Sequence, residues 1–196
     1  FTLAVGCASS PQVWKQSLDR QADTRFIPLE LWSGDDWSGA TRLALTPAAT
    51  TFGKRDHKTI RGPFAWRHPV TGETLQVYER LNHTTEGPKR QLFTINPEGT
   101  GLAKVYDERP GMPTRHFSTN AVLFPLGSWG RGEKRTFAFD EYVEGRKERR
   151  TATVYIRRLS FTYQDTPYAL KYDWLCQDSQ GKELFHERFI YGPGES

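Results

Sequence analysis

The sequence predicts a mainly-β protein built on a curved antiparallel sheet, with a short N-terminal helix or tether. Three observations carry that expectation. Aromatic residues form 13% of the 196 residues (6 Trp, 8 Tyr, 12 Phe) against a hydrophobic total of only 36%, so large rings must supply much of the core. Rings with polar handles pack well on a pleated surface and favour strands. Gly (17) and Pro (12) are scattered instead of clustered, which cuts the chain into short segments. Between them, alternating apolar runs are punctuated by turn signals, as in successive hairpins. The length suits one domain with a core of its own.

The N-terminal run Phe1-Thr2-Leu3-Ala4-Val5-Gly6-Cys7-Ala8-Ser9-Ser10 is uncharged and places a small residue directly before a cysteine. It resembles the lipobox of bacterial lipoproteins, with Ala4 standing where leucine is usual and Leu3 one place further out. That resemblance implies a signal-peptide remnant over 1–6, a diacylglycerol thioether on Cys7, and a lipid-anchored tether over 7–24. A single antiparallel β domain is expected over 25–196. No apolar stretch reaches the length of a transmembrane helix, so membrane contact is expected through the lipid.

The first element is a weakly amphipathic turn or helix over 13–18. Strands follow over Phe26–Trp32, closed by Ser33-Gly34-Asp35-Asp36, over Arg42–Leu45, and around Thr50. Thr59–Arg67 is a strand interrupted at Gly62-Pro63, and His68–Gly72 turns into Thr74–Asn82, with Leu75, Val77 and Leu81 on one face. Turns at Glu86-Gly87-Pro88 and Asn96–Gly99 introduce Arg90–Ile95 and Leu102–Tyr106. After a Pro/Gly segment over 109–113, strands are expected over Lys134–Tyr142 and Thr151–Tyr163, joined by the charged turn Glu144–Glu148.

The apolar face of Thr151–Tyr163 changes parity, from Val154 and Ile156 to Leu159, Phe161 and Tyr163. Such a switch requires an extra residue, most simply at Arg157-Arg158, and a bulged strand bends. The last hairpin turns at Asp178-Ser179-Gln180-Gly181. Pairing Gln177 with Lys182 places Trp174 opposite Phe185, Tyr172 opposite Glu187 and Leu170 opposite Phe189. That register sorts most apolar residues to one face, but sets Arg188 against Lys171.

The chemistry expected of these residues is limited. Cys176 and His186 fall on opposite faces of the last hairpin, so a thiol dyad is not expected and Cys176 reads as a core thiol. The five histidines show no metal-ligand spacing, and no catalytic serine elbow or phosphate-cradling glycine loop occurs. The net charge of +4 is too small to argue for nucleic acid. Arg131–Arg158 holds nine Lys/Arg against five Asp/Glu, which would serve either as a solvated hairpin tip or as a contact for lipid phosphate. Asp35-Asp36 between Trp32 and Trp37 has the ring-plus-carboxylate composition of a glycan site, and equally the composition of a turn.

Phe124-Pro125-Leu126-Gly127-Ser128-Trp129, Thr166–Lys171 and Tyr191-Gly192-Pro193-Gly194 resemble elements of bacterial periplasmic β half-barrel proteins. The resemblance covers about 70 residues by the spacing of these elements. It implies a half-barrel or sandwich with an aromatic concave face, akin to periplasmic carriers of lipid or lipoprotein, and it brings no catalytic residues. The function expected is a non-enzymatic binding or envelope-assembly lipoprotein for an apolar ligand, a lipid or a protein partner. Ala8 after the cysteine resembles outer-membrane sorting, facing the periplasm. Trp129, Phe137, Phe139, Phe161, Tyr163, Tyr172 and Trp174 are the expected lining, each of which could equally be plain core. The alternative is a glycan-binding module or glycan-cleaving enzyme using Trp32, Asp35, Asp36 and Trp37. Neither reading invokes a cofactor or a metal.

Overall fold

The computed structural model describes residues 24–33, 41–44, 57–160 and 169–191. Among them the chain forms thirteen strands and one helical turn. The first elements are β1 (Thr24–Ile27), α1 (Glu30–Ser33), β2 (Thr41–Ala44), β3 (His57–Arg67), β4 (Thr74–Thr84), β5 (Gly87–Ile95) and β6 (Gly101–Glu108). There follow β7 (Arg115–Phe117), β8 (Val122–Pro125), β9 (Gly127–Gly130), β10 (Lys134–Val143), β11 (Arg146–Ser160), β12 (Ala169–Asp178) and β13 (Glu183–Tyr191). The turn or helix expected over 13–18, the strand around Thr50 and the end of the strand expected to reach Tyr163 lie outside the described residues.

Eleven of these strands form one antiparallel sheet in the order β13-β12-β11-β10-β7-β6-β5-β4-β3-β2, with β8 also on β6. Strand β6 serves two neighbours on one side: Gly101–Ala103 pair with β8, and Tyr106 and Asp107 with β7. The sheet curls into a half-barrel. Arg80 on β4 interacts electrostatically with Tyr172 on β12 and Tyr191 on β13. Six strand spacings of a flat sheet would hold β4 and β12 roughly 29 Å apart, well beyond such an interaction. The half-barrel, not the sandwich, is the form the chain takes.

The main core fills the curl. Ile27, Leu31 and Trp32 from β1 and α1, together with Phe124 and Trp129 from β8 and β9 and Leu126 between them, pack against Ile60, Phe93, Leu102, Val154, Ile156, Leu170 and Tyr172 of the sheet. A smaller cluster of Leu75, Val77, Leu92 and Val105, covered by Phe64, Trp66 and Tyr106, buries the opposite face of β4–β6. This part of the sheet is therefore apolar on both faces.

Most expected hairpins form, and the turn chemistry explains them. Glu144 (φ 49°) and Gly145 (φ 75°) are both left-handed, the two-residue turn whose twist matches the strands β10 and β11. In β11 the pairing shifts between Ile156 and Arg158, the bulge that the parity change demands. Strand β3 is likewise bulged between Arg61 and Phe64.

Two expectations are corrected. The strand expected over Phe26–Trp32 ends at Ile27, because Pro28 has no N–H to donate; Leu31 and Trp32 instead bond back to the carbonyls of Pro28 and Leu29 as a helical turn. The β12–β13 register is two residues longer than expected: Trp174 faces Glu187, Tyr172 faces Phe189 and Leu170 faces Tyr191. The Asp178 carboxylate accepts the N–H groups of Gln180 and Lys182, which widens the loop, and a bulge at Cys176/Gln177 takes up the remainder. A shift by two preserves every side chain's face. It also replaces the unfavourable Arg188/Lys171 pair by Arg188 opposite Asp173, whose Oδ1 accepts from Nε at 2.7 Å.

Strands β6 and β8 approach so closely at Gly101 that an added Cβ would fall 2.3 Å from Cγ1 of Val122. Gly101→Ala is expected to lower stability by about 1–3 kcal/mol, the usual cost of overpacking. Val122→Ala in the same chain should recover part of it. Urea denaturation of the single and double variants measures both.

Candidate functional site

The chemically richest region begins where the inward face of β4–β6 stops being apolar. Cross-strand pairs there run from Tyr78–Phe93 through Arg80–Gln91 to Asn82–Lys89. On β6, Lys104 stands opposite Phe93 and Asp107 opposite Gln91. Alternation, with the β5–β6 register shift at Leu92/Phe93 that leaves Val105 as an extra residue, delivers Arg80, Lys89, Gln91, Lys104 and Asp107 to one face, graded from rings to charges.

Each group has a definite setting. Nε and Nη2 of Arg80 donate to Oε1 of Gln91 at 3.1 and 2.7 Å, and the guanidinium lies 4.9 Å from the Phe93 ring centre and 5.5 Å from that of Trp32. Asp107 is 2% exposed. It accepts from Lys104 Nζ at 2.9 Å and from Arg109 Nε and Nη2 at 3.2 and 2.9 Å. Burial alone would raise its carboxyl pKa, but the Lys104 charge and these hydrogen bonds outweigh burial and hold it well below the usual carboxylate range. Lys89 makes no ion pair or side-chain hydrogen bond with a described residue. Burial, with repulsion from Arg109, Arg80 and Lys104 only partly offset by Asp107, pushes its ammonium down to about 8.

Rings from the far end of the sheet complete the setting. Tyr172 stacks on Phe189 (5.1 Å, 20°) and lies parallel to Tyr191 (6.3 Å, 4°). Phe124 meets Tyr191 edge-on at 5.1 Å. Burial raises the pKa of both tyrosines, so they stand near Arg80 as neutral hydroxyls.

The residues expected from sequence are distributed differently. Trp129 and Tyr172 are fully buried in the main core, and Phe137 and Trp174 pack against it. Phe139 joins Phe117, Ala121, Ala152 and Cys176 in a second cluster, which Trp174 also touches. Cys7, Asp35, Asp36, Trp37, Phe161 and Tyr163 lie outside the described residues. Trp32 is 1% exposed, edge-on to Phe93 at 4.7 Å, and presents no open ring face. Cys176 is a buried thiol whose pKa burial pushes up to about 11, and His186 lies on the other face of the hairpin.

The Arg80–Arg109 cluster was not anticipated from sequence. Its one signal is that Arg80 and Lys89 occupy positions in register with apolar Tyr78 and Phe93, which signifies a charge turned inward once the other face of β4 is known to be buried. The hairpin tip, by contrast, is neutralised: Lys147 and Arg149 pair with Asp140, Arg150 with Glu141 and Glu148, and Arg146 with Glu144. A cleft of ≈ 450 Å³ opens on the other face of β4–β6, lined by Leu81, Pro88, Arg90, Glu108, Arg109, Pro110 and Gly111. Among the described residues no group of three or more His, Cys, Asp or Glu could hold a metal ion, and no helix could cross a membrane. Comparison with family models, curated proteins and solved structures finds no match.

Opposite the interior, Trp66, His68, Tyr106, His116 and Tyr142 form a ring cluster, with His68 and His116 centred 5.8 Å apart. His68 is 1% exposed. Its Nδ1 accepts the N–H groups of Val70 and Thr71 at 3.2 Å, and its Nε2 bonds the Phe117 carbonyl at 3.1 Å. Those partners require a neutral ring protonated on Nε2, since Nδ1 faces only donors. Burial lowers the pKa below 6.5, outweighing the Phe117 bond and Glu73; His116 is lowered by burial and by His68.

The unfolded chain therefore binds more protons than the folded one on the acid side of neutrality. Stability is fully present above pH 6.5 and is lost as pH falls through the lowered folded values. The urea midpoint should drop between about pH 7.5 and 5.5 by linkage at these imidazoles, and His68→Gln should flatten that slope.

Proposed function

We propose that this protein is a non-catalytic binding protein of the bacterial cell envelope, held to the membrane by lipid on Cys7 and facing the periplasm. The observation that carries the reading is the uncharged run Leu3-Ala4-Val5-Gly6-Cys7, in which Gly6 gives a peptidase access to the bond and the Cys7 thiol can accept the diacylglycerol. Ala8 favours the outer membrane as the destination. The fold supports a binding role: the half-barrel brings the half-buried rings Phe189 and Tyr191 towards the cations of β4–β6, a composition suited to an amphipathic lipid or a partner's segment. A hydrolytic role draws less support, because Trp32 is packed inside the core.

Native mass spectrometry of the protein extracted from bacterial membranes tests this reading. The expected species begins at Cys7 and carries diacylglycerol and N-linked acyl mass, and Cys7→Ser should abolish both the modification and the membrane fraction. An unmodified chain retaining residues 1–6 in wild type would overturn the anchor.

A further inference from the structure

Four cations converge on the inward face of β4–β6: Arg80, Lys89, Lys104 and the adjoining Arg109. Among the described residues, two carboxylates act on Arg80, Lys89 and Lys104. Asp107 is already occupied by Lys104 and Arg109, and Glu187 stands at the exposed edge and acts on Arg80. The remaining groups near Arg80, the hydroxyls of Tyr172 and Tyr191, are uncharged. Taking charge out of water without a counter-ion is costly, and a cluster of cations that outnumbers its carboxylates marks a candidate site for an anionic ligand. Nothing in the packing of β4–β6 requires Lys89 to be a cation.

Donor geometry says what would fit. Arg80 and Arg109 each commit Nε and Nη2 to a partner, which leaves Nη1 of both free of those bonds. Lys104 spends one donor on Asp107, and the Lys89 ammonium has spent none among the described residues. Entry is available at the outer end of the cluster, where Lys89 is only half-buried and Arg109 is exposed. A compact oxyanion carrying two charges matches this set better than a carboxylate, because it offers enough acceptors for several separate cations at once. We propose that Arg80, Lys89, Lys104 and Arg109 form a binding site for a phosphate group, entered from solvent at the end marked by Lys89 and Arg109. The site goes beyond the anchored-binder reading and does not depend on Cys7.

The test is calorimetric titration of the 196-residue chain at low ionic strength and pH 7, with three probes: inorganic phosphate, dihexanoyl phosphatidic acid and, as a zwitterionic control, dihexanoyl phosphatidylcholine. The first two should bind at 1:1, and Lys89→Met and Arg109→Gln should each weaken them at least tenfold. Lys147→Gln on the neutralised hairpin tip should leave them unchanged. Phosphatidic acid binding tenfold more tightly than phosphate identifies a lipid head group, and equal affinities identify a soluble phosphate; either result supports the site. Wild-type affinity should fall between pH 7.5 and 9 as the ammonium with a pKa of about 8 loses its proton, a fall that Lys89→Met should lack. Without ligand, Lys89→Met should melt higher than wild type, since it removes an uncompensated cation. Absence of binding, binding indifferent to Lys89→Met, or a Lys89→Met chain that melts lower while binding normally would each overturn the proposal. Failure here would leave acylation at Cys7 untouched.

Discussion

The half-barrel depends on one short strand being held from two sides. Strand β8 pairs with β6 along one edge, and its extra residue, Leu123, interrupts that ladder. A bulge leaves backbone groups without ladder partners, and buried carbonyls must find donors. Strand β12 supplies them: Trp174 Nε1 donates to the Val122 carbonyl at 2.9 Å, and the Tyr172 hydroxyl to that of Leu123 at 3.0 Å. Trp129 Nε1 does the same for Leu126 and Thr100. The polar tips of buried rings therefore tie strands from distant parts of the sheet to one inner segment. The curl follows from that tie, since β12 can reach β8 only if the sheet between them bends.

The same economy explains the aromatic composition. An aliphatic core would bury as much area but could not satisfy carbonyls from across the sheet. Trp129, Tyr172 and Trp174 act as core and as fasteners at once, which accounts for rings at positions that would otherwise read as the lining of an open groove.

Charge is arranged on a contrasting principle. At the β10–β11 tip, and around Glu79 and Asp173, cations meet carboxylates across strands: Arg61 and Arg90 on Glu79, Arg157 and Arg188 on Asp173. Such half-exposed pairs contribute little each; the hairpin tip is balanced, while Glu79 and Asp173 each hold two arginines whose excess charge lies toward solvent. The inward face of β4–β6 also retains an excess among the described residues, and there Lys104 is 18% exposed, so solvent screens it less than the edge arginines. A net charge of +4 for the chain does not reveal where this excess lies, because it sums over all faces.

Local patterns in the chain determined the longer hairpin strands, most turns and the bulge at Arg157, though not the short strands β7, β8 and β9, because alternation, glycine placement and a parity change are properties of a few consecutive residues. They also set which face of the last hairpin each residue occupies, though the pairing itself lay two residues away. That error is one which face-sorting cannot detect, since period two is blind to a shift of two. What only the tertiary structure decided was the second buried face of β4–β6, the role of β8 as the inner tie, and the gathering of Arg80, Lys89, Lys104 and Arg109. Each depends on what covers a strand from outside its own hairpin. A lysine on an alternating strand looks solvated until another part of the chain removes the water from above it.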